Sequence, residues 1–535
     1  MTHFDRNTAI TKIADIIRTG RMSRRDLLRS LMACGLTMTA AGSVVSSATR
    51  VLAQTPKRGG SLRFAWSVHG PDDTLDPIGI GGTLDYLRGR MLYNNLVRFN
   101  DDLSISPELA TEWEANSDAT VWTFKLRKGV TFHDGKTMTA DDVVYSMNRH
   151  VGENTKSKAK SLVGAVKSWS KVDTNTVKAE LSVPHADLPV VLATFHFKIV
   201  QDGAQGDHFQ NPQGTGPFKV KNFEPGIRMV GVRNENYWID NRPYLDEIET
   251  FAITDGVARV NALRAGDVQV IGPLDPKAIP QIEGDANLDV LSIPSGAYFS
   301  VACMLDQAPG NNSDFVKGLK LLQRRDRVVS RVLKGHGTIA NDQPIGSAYA
   351  EHCGTLAQTT YDLDKAKFHL KKSGVTSAEI TAAEVYPGIT DGCLMLQREA
   401  QKAGLDLQIK RVPTDGYWGA IYKKRPIYVT GANMRPTAHS MLSLLWTSGA
   451  AWNETNWSNE RFDKLLELTR SELDQARRSE MFCEMQTMLN ESDGHLIPAH
   501  RNYVDAKHKS VKGLSAVPLA NVGGVEWPET VWLDN

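Results

Sequence analysis

Trp122-Thr123-Phe124-Lys125-Leu126-Arg127-Lys128-Gly129-Val130-Thr131-Phe132-His133-Asp134-Gly135 is the stretch from which the fold can be read. Apolar and polar residues alternate from Trp122 to Leu126, the period of a half-buried strand. Arg127-Lys128-Gly129 turns the chain, Val130-Thr131-Phe132 resumes the alternation, and His133-Asp134-Gly135-Lys136 turns it again, which predicts a hairpin-like β unit. Immediately downstream, Thr139-Ala140-Asp141-Asp142 supplies a hydroxyl and two acids where a helix has orphan amides and the positive end of its dipole, predicting a helix to about Arg149. Outward from this block, residues 61–66 and 177–181 alternate as strands, and Gly79-Ile80-Gly81-Gly82 reads as a loop before a helix over 84–96. Gly214-Thr215-Gly216-Pro217-Phe218 is a rigid turn ahead of a strand over 219–223. Apolar residues recur at helical spacing over 315–333 and 460–470. The expectation is an α/β chain with strands of mixed length, not a run of uniform βα units.

Composition sets the outer bounds. The 535 residues are 41% hydrophobic and 23% charged, and 62 Lys+Arg nearly balance 61 Asp+Glu. That is ordinary globular composition, enough for about three folding units at roughly 150 residues each. Near-zero charge argues against a nucleic-acid or anionic-membrane surface, which needs an excess of Lys and Arg.

The average conceals an asymmetric N-terminus. Residues 1–53 hold eight Lys/Arg against three acids; subtracting these from the totals leaves 54 basic and 58 acidic residues, near −4. Ser23-Arg24-Arg25-Asp26-Leu27-Leu28 precedes an uncharged run over 31–45, and Val51-Leu52-Ala53 offers small residues for cleavage. This order resembles a twin-arginine export signal, with cleavage expected after Ala53 and a periplasmic destination. The run is shorter than the roughly 20 residues of a membrane span. No second long apolar stretch follows, so the exported chain is expected to fold in water.

Cys34 would leave with the signal, while Cys303, Cys353, Cys393 and Cys483 remain. Four cysteines allow three pairings, and sequence does not choose among them or against four free thiols. No Cys-x-x-Cys, His-Glu-x-x-His or Gly-x-Ser-x-Gly is present. Gly135-Lys136-Thr137 lacks the upstream glycine of a phosphate loop, because Val130 stands there, and Leu84 breaks a dinucleotide fingerprint after Gly79 and Gly81. His133-Asp134 reads as a turn that closes two strands. No metal and no cofactor is expected.

Leu109-Ala110-Thr111-Glu112-Trp113, the block 122–135 and Thr139-Ala140-Asp141-Asp142-Val143 together resemble the signature of bacterial extracellular solute-binding proteins of family 5, the peptide/nickel/opine class of ABC-transporter binding proteins. Gly214–Phe218, Asn236-Tyr237-Trp238, Val316-Lys317 through Arg325-Asp326-Arg327, Tyr361-Asp362 with Lys365-Ala366, and 459–465 match further blocks in the same order. The resemblance implies a class II periplasmic-binding-protein fold: two lobes, a hinge, and a β-rich subdomain inserted in the first lobe. On this reading the signal is 1–53, the first lobe is 54–100, 214–298 and 501–535, its inserted subdomain is 101–213, and the second lobe is 299–500. The hinge crossings fall at 295–301 and 497–503. The implied function is capture of a small organic solute, a short peptide or a carboxylated amino-acid derivative. The chain would be a monomer, would deliver the solute to ABC permease subunits in the inner membrane, with ATPase subunits behind them, and would catalyse nothing.

Peptide-binding relatives hold the ligand's ammonium with an Asp in a Trp-Gly-x-Asp-Tyr-Pro-Asp-like segment. Here Thr430-Gly431-Ala432-Asn433-Met434-Arg435-Pro436-Thr437 stands in that place, with Asn433 and Thr437 where acids are usual and Arg435 adding a positive charge. Arg435 is expected to face the cleft and to pair with an anionic group; the alternative is a surface arginine or one neutralised by a neighbouring acid. Among Trp66, Trp418, Trp446, Trp452 and Trp457, we expect Trp452 and Trp66 to meet the ligand, with Tyr298 at the hinge. Gly81, Gly82 and Thr83 lie on a loop that resembles a ligand-contacting loop of the first lobe. Two other functions fit the same residues: a secreted hydrolase with a scattered active site, and a periplasmic receptor or chaperone using the same clamp.

Overall fold

A computed structural model describes residues 55–67 and 73–534. The export segment and its cleavage site lie outside the described residues.

One long sheet organises the chain. From edge to edge its strands are Asp406–Arg411, Ser377–Ala382, Ile427–Ala432, Leu288–Cys303, Ala499–His508, Val270–Ile271, Ser61–Trp66, Glu247–Ala252, Arg228–Arg233 and Phe218–Glu224. The two central strands belong to both lobes. Leu288–Cys303 pairs antiparallel with Ala499–His508, its register shifts between Ile293 and Ala297, and from Tyr298 onward it also pairs with Ile427–Ala432. On the other side Ala499–His508 pairs with Val270–Ile271, which lies beside Ser61–Trp66. The chain therefore passes between lobes along two adjacent strands, as expected of a two-lobed, hinged α/β fold. Ser61–Trp66 is central because Leu62, Phe64, Ala65 and Trp66 are all buried, filling both faces of a strand flanked on both sides.

The inserted subdomain is a separate four-stranded antiparallel sheet in the order Ala110–Ala115, Val121–Leu126, Thr176–Leu181, Val166–Asp173. Trp122, Phe124 and Leu126 point to its buried face. Helix Ala140–Asn148 starts at a reciprocal cap between Thr139 and Asp142, as the sequence predicts. The expected hairpin between 122–126 and 130–132 does not form. Val121–Leu126 finds its partners in Ala110–Ala115 and Thr176–Leu181, and the downstream stretch makes only an isolated Thr131–Thr137 bridge. Val130 and Phe132 are nonetheless buried, so their alternation reports burial and not pairing. His133 is also buried. Its backbone N–H donates to the Gly214 carbonyl, its Nδ1 accepts from the Gly214 N–H, and its Nε2 lies 3.1 Å from the Gly216 carbonyl. It thereby locks the Gly/Pro turn, and burial pulls its pKa down to about 4.

Two helices are shorter than their periodicity implies. The first runs Thr83–Leu92 and ends at extended Tyr93, because Asn94 and Asn95 turn inward to bond Glu108 and the Leu192 and Thr194 carbonyls. Ser313–Leu321 stops before Gln323 and Arg325, which are drawn to the buried carboxylate of Asp342.

The inserted sheet does not bury its apolar face alone. Its core runs without a break into helices Ala438–Leu445, Glu460–Leu468 and Gln475–Ser492 of the second lobe. At this seam the Ala186 N–H donates to the Arg470 carbonyl at 2.7 Å, and Arg478 Nη2 donates to Asp187 at 2.5 Å. Cys353 and Cys483 are disulfide-bonded, tying the segment after Tyr349 to Gln475–Ser492. Cys303 and Cys393 are free and buried, and burial pushes both thiols up to about 12. Among the described residues no helix is long and apolar enough to cross a membrane.

Candidate functional site

A cavity of about 700 Å³ opens where three parts of the chain meet. The first-lobe loop contributes Ile80 and Gly81 and helix Thr83–Leu92 contributes Tyr86, with His196 behind it; the inserted subdomain contributes residues around Lys158 and His185; the second lobe contributes Arg435, His439, Trp452 and Arg470.

The second-lobe wall is held rigidly. The Gly296 N–H lies 3.0 Å from Met434 Sδ, the Met434 N–H donates to the Tyr503 hydroxyl, and the Arg435 N–H donates to the Tyr349 hydroxyl at 3.0 Å. Thr437 then caps helix Ala438–Leu445 by accepting from the Ser440 N–H, so that Ser440, Ser443 and Leu444 face the cavity. Met434 is thus pinned to both crossing strands, by its sulfur to Gly296 and by its N–H to Tyr503, while the Arg435 side chain lines the space. Its guanidinium carbon lies 5.9 Å from the ring centre of Trp452, and its Nε is buried without a hydrogen-bond partner.

Across the cavity, Tyr86 stacks on Phe195 at 4.2 Å and meets the edge of His196 at 5.4 Å. The Arg435 charge reaches Tyr86 and favours its ionised form, but burial dominates and raises that phenol to about 12. Lys158 lies over Gly81: a Cβ there would fall 2.8 Å from Lys158 Nζ, so this glycine leaves room for a cation. The Gly81 N–H donates to Asp85, whose carboxyl is raised to about 6 mainly by burial. Among the described residues no carboxylate lines the cavity, and none forms an ion pair with Lys158, Arg435 or Arg470. The imidazoles are neutral at pH 7: burial lowers His196 to about 4 and His439 to about 3, and lowers His185 as well. His439 Nδ1 lies 3.0 Å from the Thr469 hydroxyl, and His196 Nδ1 has no partner. The wall therefore carries three cations and a set of neutral hydrogen-bonding groups.

Of the residues singled out in the sequence, the structure places Arg435 and Trp452 on the cavity wall, the latter half exposed. Gly82 and Thr83 lie one step outside the lining, as the cap and first residue of helix Thr83–Leu92. Thr437 is a buried cap. Asn433 is exposed beside the cavity, accepting from Arg501 Nη2 at 2.7 Å. Trp66 and Tyr298 are core residues instead of cavity residues. Trp66 stacks on Phe64 and fills the space over Gly272, where a Cβ would sit 2.5 Å from its ring. Tyr298 is fully buried against Trp446, because its strand has neighbours on both sides there. Lys158, His185, His196, His439, Arg470 and Tyr86 line the cavity without having been singled out. Only Lys156-Ser157-Lys158-Ala159-Lys160, a basic loop within the insertion, left a trace that could have drawn attention. Among the described residues no cluster of His, Cys, Asp and Glu could hold a metal ion.

The family model described as bacterial extracellular solute-binding proteins, family 5 Middle, matches residues 104–454. The dipeptide-binding protein of Escherichia coli (strain K12) is 26% identical over 476 residues, covering 80% of this chain and 87% of the relative. The heme-binding protein A of Haemophilus influenzae is 25% identical over 515 residues, covering 89% and 94%. Among solved structures, the ABC transporter substrate-binding protein CtaP from Listeria monocytogenes superposes with a TM-score of 0.79 at 22% identity, covering 90% of this chain and all of that one.

Proposed function

The chain belongs to the bacterial extracellular solute-binding proteins, family 5, and from that premise we propose that it is the periplasmic binding component of an ABC importer whose guest carries an acidic group. The carrying observation is Arg435: a guanidinium on the wall of an interlobe cavity, with no carboxylate partner among the described residues and a buried, unpartnered Nε. A planar guanidinium suits bidentate capture of a carboxylate. Trp452 and Leu444 offer apolar surface for the body of an organic molecule. Relatives bear the names of dipeptide- and heme-binding proteins, and a short peptide or another carboxylated amino-acid derivative is the guest we assign here.

Catalysis plays no part in this reading. The guest favours the closed arrangement of the lobes, and that arrangement docks on a permease. The lobes divide as 54–100, 214–298 and 501–535 against 299–500, with 101–213 inserted; closure turns on the crossings at 295–301 and 497–503, the first of which lies at the register shift between Ile293 and Ala297. The working form is a monomer in the periplasm, exported through Arg24-Arg25 and cut after Ala53.

Gentle mass spectrometry of freshly purified exported protein tests the assignment: a co-purifying acidic solute is expected, released intact. A guest at about 100 times its Kd should stabilise the fold by roughly 2.7 kcal/mol. Conversion of the solute into product on incubation, or undiminished binding by Arg435→Ala, overturns it. Arg24→Lys with Arg25→Lys should leave uncut precursor in the cytoplasm.

A further inference from the structure

Resting on the solute-binding reading, the charges around the cavity say more about its guest. Lys158 enters from the inserted subdomain, Arg435 from the segment before helix Ala438–Leu445, and Arg470 from the end of the next helix. They reach the same cavity from separate parts of the chain. None forms an ion pair with a described carboxylate. Asp187 is paired with Arg478, and Asp85 accepts from the Gly81 backbone and stays outside the lining. His185, His196 and His439 add donors and acceptors but no charge at pH 7.

We propose that the cavity selects a guest with at least two separated anionic groups and no free ammonium, one anion held by Arg435 of the second lobe and the other by Lys158 of the inserted subdomain. A guest ammonium would find no carboxylate among the described lining residues, and burying it unpaired is costly. A single anion would leave a facing cation unmatched as the walls approach. Two anions bridge the lobes and cancel the repulsion that opposes closure, so guest charge and closure are coupled. Arg470, exposed at the cavity's far end and near His185 and His439, extends the positive surface toward solvent and draws the anion in. Of the two guests assigned above, this keeps the carboxylated derivative and excludes a peptide with a free N-terminus: the chemistry that fits is a dicarboxylic or phosphorylated organic acid with an apolar middle against Trp452 and Leu444.

The test divides a bacterial small-molecule extract on an anion exchanger into flow-through, weakly retained and strongly retained fractions. Each is added to the exported protein and the melting temperature is read. Stabilisation by the strongly retained fraction is expected, with the apparent affinity of its active component reduced at least tenfold in Arg435→Gln and, separately, in Lys158→Gln. Both variants are first shown to melt cooperatively without added solute. If the active component lies in the flow-through or is singly charged, the two-anion assignment falls and solute binding stands. An active polyanion bound equally well by Lys158→Gln removes the second anchor and with it the proposal. If no fraction stabilises the protein, the underlying reading fails as well.

Discussion

The seam between the inserted subdomain and the second lobe lies next to the cavity and uses the same residue types, yet the two regions treat charge in opposite ways. At the seam Arg478 is buried with Asp187 at 2.5 Å and also donates from Nε to the Thr469 carbonyl. Elsewhere Arg90 meets Glu108 and Glu526, and Arg325 meets Asp342, all buried. In the cavity Arg435, Arg470 and Lys158 meet no described acid. Arg470 shows the contrast within one residue: its carbonyl closes the seam by accepting from the Ala186 N–H, while its side chain is left to the cavity. These interior arginines are matched by acids, and Arg259, buried without one, by the Ile253, Thr254 and Pro273 carbonyls, whereas the cavity wall is left for a second molecule to balance. The functional signal is a missing partner, not the presence of charge.

The comparison can be broken first at the seam. Asp187→Ala strands the Arg478 charge in a buried position, and an uncompensated buried cation costs about 3–5 kcal/mol. Chemical denaturation should register that loss, and Asp187→Leu combined with Arg478→Met should recover most of it, because an apolar pair of similar volume replaces the ion pair without desolvation. A loss below about 1 kcal/mol for the single variant would mean that the seam opens readily in solution, and the contrast with the cavity would lose its footing.

Next in size is a pH effect confined to a paired region. His495 lies between Asp493 at 2.7 Å and Glu454 at 3.0 Å; burial alone would lower its pKa, but the two carboxylates win and raise it to about 9, while Asp493 is held down at about 2. A raised folded-state pKa means that the imidazolium stabilises the fold fully below about pH 6.5 and that this contribution disappears as pH rises through about 9. The Asp493 contribution is present above its unfolded value and fades only as pH falls toward 2, outside that window. Between pH 7 and 9.5 the His495 contribution should therefore fall by about 2 kcal/mol, while buried Lys198, lowered to about 8, returns stability over the same range; the profile of His495→Gln should differ from the parent's by the His495 amount. The cavity histidines are neutral already and add nothing to this slope. An unchanged slope in His495→Gln would place the titrating group elsewhere.

A smaller effect separates holding the cavity wall from binding with it. Thr437→Ala removes the cap of helix Ala438–Leu445 and should cost about 1 kcal/mol, with Thr437→Ser restoring it. Its buried hydroxyl is spent on the Ser440 N–H, so the serine variant should bind the guest like the parent.

Much of the fold was legible because the features that mark it are local. The Thr139–Asp142 cap, the alternation of 61–66, 122–126 and 177–181, and the Gly214–Phe218 turn each depend on neighbours in sequence. Reading failed where a distant partner decided the outcome. Val130 and Phe132 alternate yet pair with no strand, and the helix expected to reach 96 stops at Leu92 because Glu108 and two remote carbonyls claim the next asparagines. The cysteine pairing stayed open for the same reason, since Cys353 and Cys483 are 130 residues apart. In the cavity, Arg435 stood out because it adds a positive charge to a short segment in which Asn433 and Thr437 stand where acids are usual. Nothing within ten residues distinguishes Arg470 from Arg478, and only the fold brings Asp187 to one and leaves the other bare. Trp66 and Tyr298 drew attention as aromatics, but a strand with neighbours on both sides buries such residues whatever their chemistry.

The smallest expected change in stability sharpens the comparison most. Arg435→Gln in the ligand-free protein should shift stability by no more than about 0.5 kcal/mol in either direction. No ion pair is lost, because no described acid faces the guanidinium; the backbone bond to Tyr349 survives, because it is made by the main-chain N–H; and the stacking on Trp452, at 5.9 Å, is at the limit of its range. Removing one of three like charges also relieves repulsion across the cavity, which offsets the lost packing of the aliphatic stem. The same exchange of arginine for a neutral side chain at Arg478 should cost several kcal/mol, since Asp187 would then be buried alone. Parallel denaturation of the two variants reads the difference directly. If Arg435→Gln proves as damaging as Arg478→Gln, then Arg435 has an acidic partner after all, and the vacant positive wall that defines the guest does not exist in solution.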